Sequence, residues 1–60
     1  MELVKVILKN DREKQEFKLP FTNVDWCNFN RFFAYLFEEG KKIFIVRKFD
    51  DGSETTESVF

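Results

Sequence analysis

The chain contains no histidine and one cysteine, and both scarcities exclude kinds of chemistry. Without histidine, the usual general base near neutral pH and the commonest metal ligand are missing. Cys27 has no second cysteine for an intramolecular disulfide and no histidine to activate it as a nucleophile. Asp50 and Asp51 are adjacent acids, but they precede Gly52 in a sequence typical of a tight turn. We therefore expect no catalysis, no cofactor and no metal.

Glycine and long apolar runs are also scarce. Two glycines leave no glycine-rich loop that would cradle a phosphate. The longest uncharged apolar stretch, 32–37, is far shorter than the roughly 18 residues that indicate a membrane span. There is no secretory apolar region and no Asn-x-Ser/Thr sequon. These absences predict a soluble cytoplasmic protein that does not contact membranes.

Aromatic side chains are abundant. Nine Phe, one Trp and one Tyr make up 18% of the 60 residues. A chain of this length buries only about 60% of its unfolded surface, whereas each aromatic ring can bury roughly 150–250 Å². We expect the rings to supply the core of a single domain, residues 1–60, that folds without metal or disulfide.

Charge and composition give weaker indications. The net charge of −1 identifies neither a strongly basic nucleic-acid binder nor a polyacidic protein, so any electrostatic function depends on how charges are sorted in space. Phe, Lys, Asn and Glu are plentiful and Ala34 is the one alanine, as in proteins of AT-rich genomes and their phages. This suggests a phage or mobile-element source.

Four segments have the composition or the residue pattern of strands. Residues 3–9 are rich in β-branched side chains, and 15–21 alternate cleanly and end near Pro20, with the polar segment 10–13 joining the two strands as a hairpin. Residues 41–49 and 54–60 form a second hairpin, in which Asp51-Gly52 predicts a type I′ turn.

The segment between the hairpins predicts a helix. Thr22 or Asn23 caps it, Asp25 places an acid in the first turn, and Gly40 supplies a left-handed stop. At about 100° per residue, one stripe is predicted to face the sheet while Phe32 and Tyr35 lie off it. The predicted stripe contains Trp26, Phe29, Phe33, Leu36 and Phe37.

Strands 1 and 3 are apolar on both faces and strands 2 and 4 are not, which favours the strand order 2-1-3-4. The predicted fold is therefore α+β: a four-stranded antiparallel sheet, ββαββ, with one helix packed on one face. The residues predicted to meet the helix are Val4, Val6, Leu8, Phe17, Leu19, Ile43 and Ile45. Alternation sends a second set to the uncovered face: Leu3, Lys5, Ile7, Lys9, Glu16, Lys18, Lys42, Phe44, Val46 and Lys48.

The uncovered face and one helix residue form the predicted partner-binding set. Its members are Lys5, Ile7, Lys18, Tyr35, Lys42, Phe44, Val46 and Lys48. The leading hypothesis is a small accessory or regulatory protein that binds another protein, because lysines alternate there with apolar residues and an exposed Tyr is typical of interaction hot spots.

Other interpretations stay open. The lysines could track the phosphates of a nucleic acid while Phe44 stacks on a base, or they could serve only to keep an open sheet soluble. Two copies could pack face to face as a homodimer through Leu3, Ile7, Phe44 and Val46. Edge strands 2 and 4 could also recruit a partner strand, and Phe60 either closes the core or meets a partner.

Overall fold

The computed structural model describes residues 2–40 and 42–59. Within these residues it contains four strands and one helix: β1 (Leu3–Lys9), β2 (Lys14–Lys18), α1 (Asn23–Glu38), β3 (Phe44–Phe49) and β4 (Glu54–Ser58). The strands form one antiparallel sheet in the order β2-β1-β3-β4. The α+β fold, the order 2-1-3-4 and the open sheet are thereby confirmed.

Three predicted strands are shorter in the structure, and one of them, β4, ends at Ser58, ahead of Val59. β2 ends at Lys18, ahead of the Leu19–Pro20 peptide, although the Leu19 N–H still donates to the Val4 carbonyl at 3.1 Å. β3 begins at Phe44, so Lys42 precedes the strand. The predictions for Lys41 and Phe60 lie outside the described residues.

The first hairpin closes on an asparagine side chain. Asn10 Oδ1 accepts the backbone N–H of Arg12 at 2.8 Å and of Glu13 at 2.7 Å, and the Asn10 N–H donates to the Glu13 carbonyl at 2.9 Å. A short polar side chain that bonds its own backbone in this way stabilises a turn without help from the core.

The second hairpin does not use the predicted type I′ turn. That turn needs positive φ at two successive residues, whereas Gly52 has φ 88° and no described non-glycine residue has positive φ. The Gly52 N–H donates to the Phe49 carbonyl at 3.1 Å, and the Phe49 N–H donates to the Ser53 carbonyl at 3.0 Å. The loop is therefore a three-residue connection in which Gly52 alone takes the left-handed conformation, so Asp51 avoids the strain.

Asp51 stabilises this loop through its carboxylate. Oδ1 accepts the Ser53 N–H at 2.9 Å and the Ser53 hydroxyl at 2.6 Å. These hydrogen bonds favour the ionised form and lower the pKa of Asp51.

The helix begins with two cooperating local motifs. Thr22 Oγ1 accepts the Asp25 N–H at 3.1 Å, and the Asp25 carboxylate accepts the Thr22 N–H at 2.9 Å, which completes a capping box. Phe21 packs edge-on against Trp26 at 4.8 Å between ring centroids. This pair is a hydrophobic staple, since the two residues flank the cap at the positions that fix the angle of chain entry.

The helix ends as predicted, at a glycine. Glu39 is the C-cap, no basic residue lies in the last turn, and Gly40 has φ 68°. The Gly40 N–H donates to the Phe37 carbonyl at 3.1 Å, which satisfies one of the helix's terminal acceptors.

The core lies between α1 and the sheet. Leu8, Leu36 and Ile43 are fully buried, and Phe17 and Phe32 complete the buried cluster. Partly buried apolar residues surround it: Phe21, Phe29, Phe33 and Ile45. Val4, predicted to meet the helix, is 39% exposed next to a register shift between Leu3 and Lys5.

The predicted helix stripe was wrong at its margins. Phe32, predicted to lie off the stripe, is 8% exposed, whereas Trp26 and Phe37 are 53% and 56% exposed. By helical geometry the buried face is centred near Leu36 and about 40° from the predicted centre. The helix lies closest to β1 and β2, so only this narrower arc meets strands.

Truncation of a core residue tests the importance of the helix–sheet contact. Leu36→Ala should lower the free energy of unfolding by about 2–5 kcal/mol, because Leu36 is fully buried and the cavity cannot close completely. Val24→Ala, on a helix residue that is 67% exposed, is the matched control and should change stability by about 0.5 kcal/mol or less. Urea unfolding measures both variants, and equal losses would contradict this assignment of the core.

Asp51 provides a test of the second turn. Its folded-state pKa is lowered, so its contribution to stability is present above the unfolded pKa and is lost as pH falls through the folded pKa. Ser53→Ala removes the hydroxyl donor and should raise the pKa of Asp51 toward its ordinary value. Carboxyl-detected NMR titration measures the change, and an unchanged pKa would show that the hydroxyl bond contributes nothing.

Candidate interaction surfaces

The side of the sheet opposite α1 carries an ordered array of lysines. In register across the strands, Lys5 lies between Lys18 and Lys48, and Lys9 lies between Lys14 and Phe44. Ile7 lies between Glu16 and Val46 in the intervening row. We call this surface the lysine face; its residues are Lys5, Ile7, Lys9, Lys14, Glu16, Lys18, Phe44, Val46, Lys48, Glu54, Thr56 and Ser58.

Two glutamates offset part of this positive charge. Lys5 Nζ donates to Glu16 Oε1 at 3.0 Å, and this contact lowers the pKa of Glu16. Lys48 Nζ lies 3.8 Å from Glu54 Oε2, beyond hydrogen-bond distance. In residues 2–40 and 42–59, no acidic group comes within 4.0 Å of Lys9, Lys14 or Lys18.

The lysine face brings together most of the predicted partner-binding residues. Those that share it are Lys5, Ile7, Lys18, Phe44, Val46 and Lys48. Lys42 is exposed but precedes β3, so the sheet does not hold it in the array. Leu3 pairs with Phe49 across the register shift and does not continue the alternation of β1.

The apolar residues of the lysine face are already covered. Ile7 and Val46 are 8% and 5% exposed although no helix packs on them. In register they are flanked by Glu16 and Thr56, and the rows that contain the lysines lie on either side of them along the strands. The aliphatic stems of lysines can lie over apolar surface while the charged ends stay in water. A shallow depression of about 190 Å³ remains, lined by Ile7, Lys9, Lys14, Val46, Lys48, Glu54 and Thr56. This face therefore presents charge more than apolar area.

Tyr35 lies on a flank of the helix, away from the lysine face. Its side chain is 43% exposed, and its ring stacks on Phe32 at 6.2 Å between centroids. The Glu13 carboxylate, hydrogen-bonded to the hydroxyl, raises the pKa of Tyr35 because it favours the protonated phenol. The Tyr35 ring thus packs on the buried Phe32, and its hydroxyl faces Glu13, in the turn that precedes β2.

A second surface lies on the opposite flank of the helix. Trp26, Phe33 and Phe37 are seven and four residues apart in succession, which places them within about 40° of one another. Trp26 is 53% exposed, Phe37 is 56% exposed, and Phe33 is partly buried. We call these three residues the aromatic flank. Trp26 is about 180° from Tyr35 around the helix, so the flank turns away from β2 and toward β3.

The strands below the aromatic flank are lightly covered. On the helix side of β3 and β4, Arg47 is opposite Thr55 and donates to Glu57 Oε2 at 2.9 Å. Thr55 and Glu57 are exposed, as is every residue of β4. The aromatic flank therefore borders a polar strip of open sheet that contains Arg47, Thr55 and Glu57.

Sequence reasoning missed the aromatic flank because it assigned Trp26 and Phe37 to the core. The available signal was the width of the apolar surface. Viewed down the helix axis, the apolar arc has Phe32 at one edge and Phe37 at the other, about 140° apart. This arc is wider than the roughly 100° stripe that a surface helix buries. An arc this wide leaves one margin exposed.

Other features offer little chemistry. Cys27 is exposed, and no group of three metal-ligating side chains occurs among the described residues. An open depression of about 470 Å³ near the start of β1 is lined by Glu2, Leu3, Val4, Leu19 and Pro20. The 16-residue α1 is too short and too polar to cross a membrane, and the described residues contain no other helix.

Comparison with known proteins identified no relative. No protein-family model, no curated protein and no solved structure matches this chain.

The single tyrosine allows a direct test of the Tyr35–Glu13 contact. Glu13→Gln should lower the pKa of Tyr35 toward its ordinary value of 10.0, because the acceptor loses its charge. Since the folded-state pKa is raised, the contact stabilises the fold below the unfolded pKa and is lost as pH rises through the folded pKa. Ultraviolet absorbance at alkaline pH follows the titration. Asp11→Asn, in the same loop, is the control and should have little effect.

Proposed function

We propose that this protein is a non-catalytic accessory or regulatory module that binds another protein through the aromatic flank. The observation that carries the proposal is the exposure of Trp26 and Phe37, at 53% and 56%, in line with Phe33 on one side of the helix. Aromatic residues are enriched at the centres of protein interfaces, and Trp is prominent among hot spots.

The packing around Trp26 supports this role. Its ring is held edge-on by Phe21 at 4.8 Å and by Phe29 at 6.4 Å, so it is positioned before any partner arrives. A rigid ring loses little conformational entropy on binding, and the free energy of contact is not spent on ordering it.

The surroundings indicate the shape of the partner segment. The aromatic flank extends about 17 Å from Trp26 to Phe37 at the helical rise of 1.5 Å per residue. A partner helix with an apolar face could lie along it, while Arg47 and Glu57 on the neighbouring strands form a polar rim. The cytoplasmic setting and the phage or mobile-element source indicated by composition stay predictions.

Surface variants test the proposal. In affinity capture from a host lysate, Trp26→Ala and Phe37→Ala should each weaken recovery of a specific partner, by roughly 30-fold in affinity if either is a hot spot of about 2 kcal/mol. Val24→Ala is the matched control, because Val24 is also an exposed apolar residue of α1 but lies on another side. Circular dichroism and urea unfolding check that each variant is folded.

Two outcomes would decide against the aromatic flank. One is partner recovery that the Trp26 and Phe37 variants leave unchanged; the other is recovery that Val24→Ala weakens equally. Sedimentation of the purified protein across concentrations adds the homodimer to the test. An association that Trp26→Ala removes would identify a second copy as the protein bound.

A further inference from the structure

We propose that the lysine face is a separate binding site for single-stranded nucleic acid, with lysines on the phosphates and Phe44 as a stacking platform. The proposal is independent of the protein-binding role, because the lysine face and the helix lie on opposite sides of the sheet.

Charge is distributed unevenly over the molecule. The lysine face holds five lysines and two glutamates, a net charge of +3, while the whole chain carries −1. The rest of the protein therefore carries −4. A polyanion is attracted to one side of the sheet and repelled from the other, so a nearly neutral protein acquires an oriented binding surface.

In the unbound protein, lysines that lie opposite each other in the sheet repel one another. Lys5 faces Lys18 on one side and Lys48 on the other, and Lys9 faces Lys14. Like charges directly opposite each other in a sheet are destabilising. Glu16 and Glu54 make their close contacts with Lys5 and Lys48, and Glu16 also attracts Lys14 at longer range, whereas bound phosphates would neutralise the whole array.

The same surface is poorly suited to a protein partner. Lysine is depleted at protein interfaces, which depend on apolar anchors in their centres. Here the central apolar residues, Ile7 and Val46, are 8% and 5% exposed and offer almost no area. Lysines act toward phosphates as flexible point charges, so they need no preformed pocket.

The geometry favours a single strand over a duplex. The lysine face belongs to an open sheet, with neighbouring side chains about 4.8 Å apart across the strands and the rows of Lys5 and Lys9 about 13 Å apart along them. Duplex readers place a helix or a two-stranded ribbon in a groove, whereas sheet surfaces bind unpaired bases on aromatic rings. Phe44, partly buried and directly opposite Lys9, can supply one such ring.

Fluorescence anisotropy with a labelled oligothymidine, over a series of salt concentrations, tests the site. With five lysines engaged, the logarithm of affinity should fall with the logarithm of salt at a slope of about −3.5. Lys14→Gln and Lys18→Gln should each reduce the steepness by about 0.7. Arg31→Gln is the matched control: it removes the same charge from the exposed side of α1 and should leave the slope unchanged.

A second variant examines the ring. Phe44→Leu keeps an apolar side chain in β3 and should weaken binding by roughly tenfold through loss of base stacking. Should that variant unfold, the exposed lysine variants still decide the question. The proposal is overturned by any of four results: no binding at low salt, an equal effect of Arg31→Gln and Lys18→Gln, equally tight binding of duplex DNA, or equally strong competition by polyglutamate, which would indicate an acidic protein.

Discussion

The rest of the structure depends on the contact of one helix with one sheet. Leu36 and Phe32 of α1 meet Leu8, Phe17 and Ile43, and these five residues form the buried cluster. A helix is about 10 Å across, so it cannot cover four strands spaced about 4.8 Å apart and also reach the opposite side. In the described part of the chain, this single helix leaves two surfaces to water: the lysine face and the strip beside the aromatic flank.

The sheet is protected from water differently on its two sides. On the lysine face, Ile7 and Val46 are buried within a field of long charged side chains, so a second layer of secondary structure is not needed there. On the helix side, Arg47 and Glu57 form an ion pair where the helix does not reach. The aromatic flank has no comparable cover at Trp26, which is why we assign protein binding to it.

Local signals account for the parts of the fold that were predictable. A run rich in β-branched residues located β1 at its observed bounds. Thr22, Asp25 and Gly40 marked both ends of α1, because capping depends on residues within one turn. The prediction of a type I′ turn was wrong because the local signal was ambiguous. Asp51-Gly52 fits more than one turn, and the pairing of Phe49 with Ser53 and the carboxylate bonds of Asp51 select the three-residue loop.

The sequence by itself determined the element order, the strand order and four of the five lysines of the lysine face, since residue period and strand polarity are properties of the chain. It placed Lys42 on that face, although β3 begins after it, and it left out Lys14, where β2 begins. Only the tertiary structure decided how α1 is rotated on the sheet. That rotation buries Phe32 and exposes Trp26 and Phe37, although all three are large aromatic residues of the same helix. Periodicity defines an apolar arc, but the placement of the helix over β1 and β2 decides which part of the arc is buried.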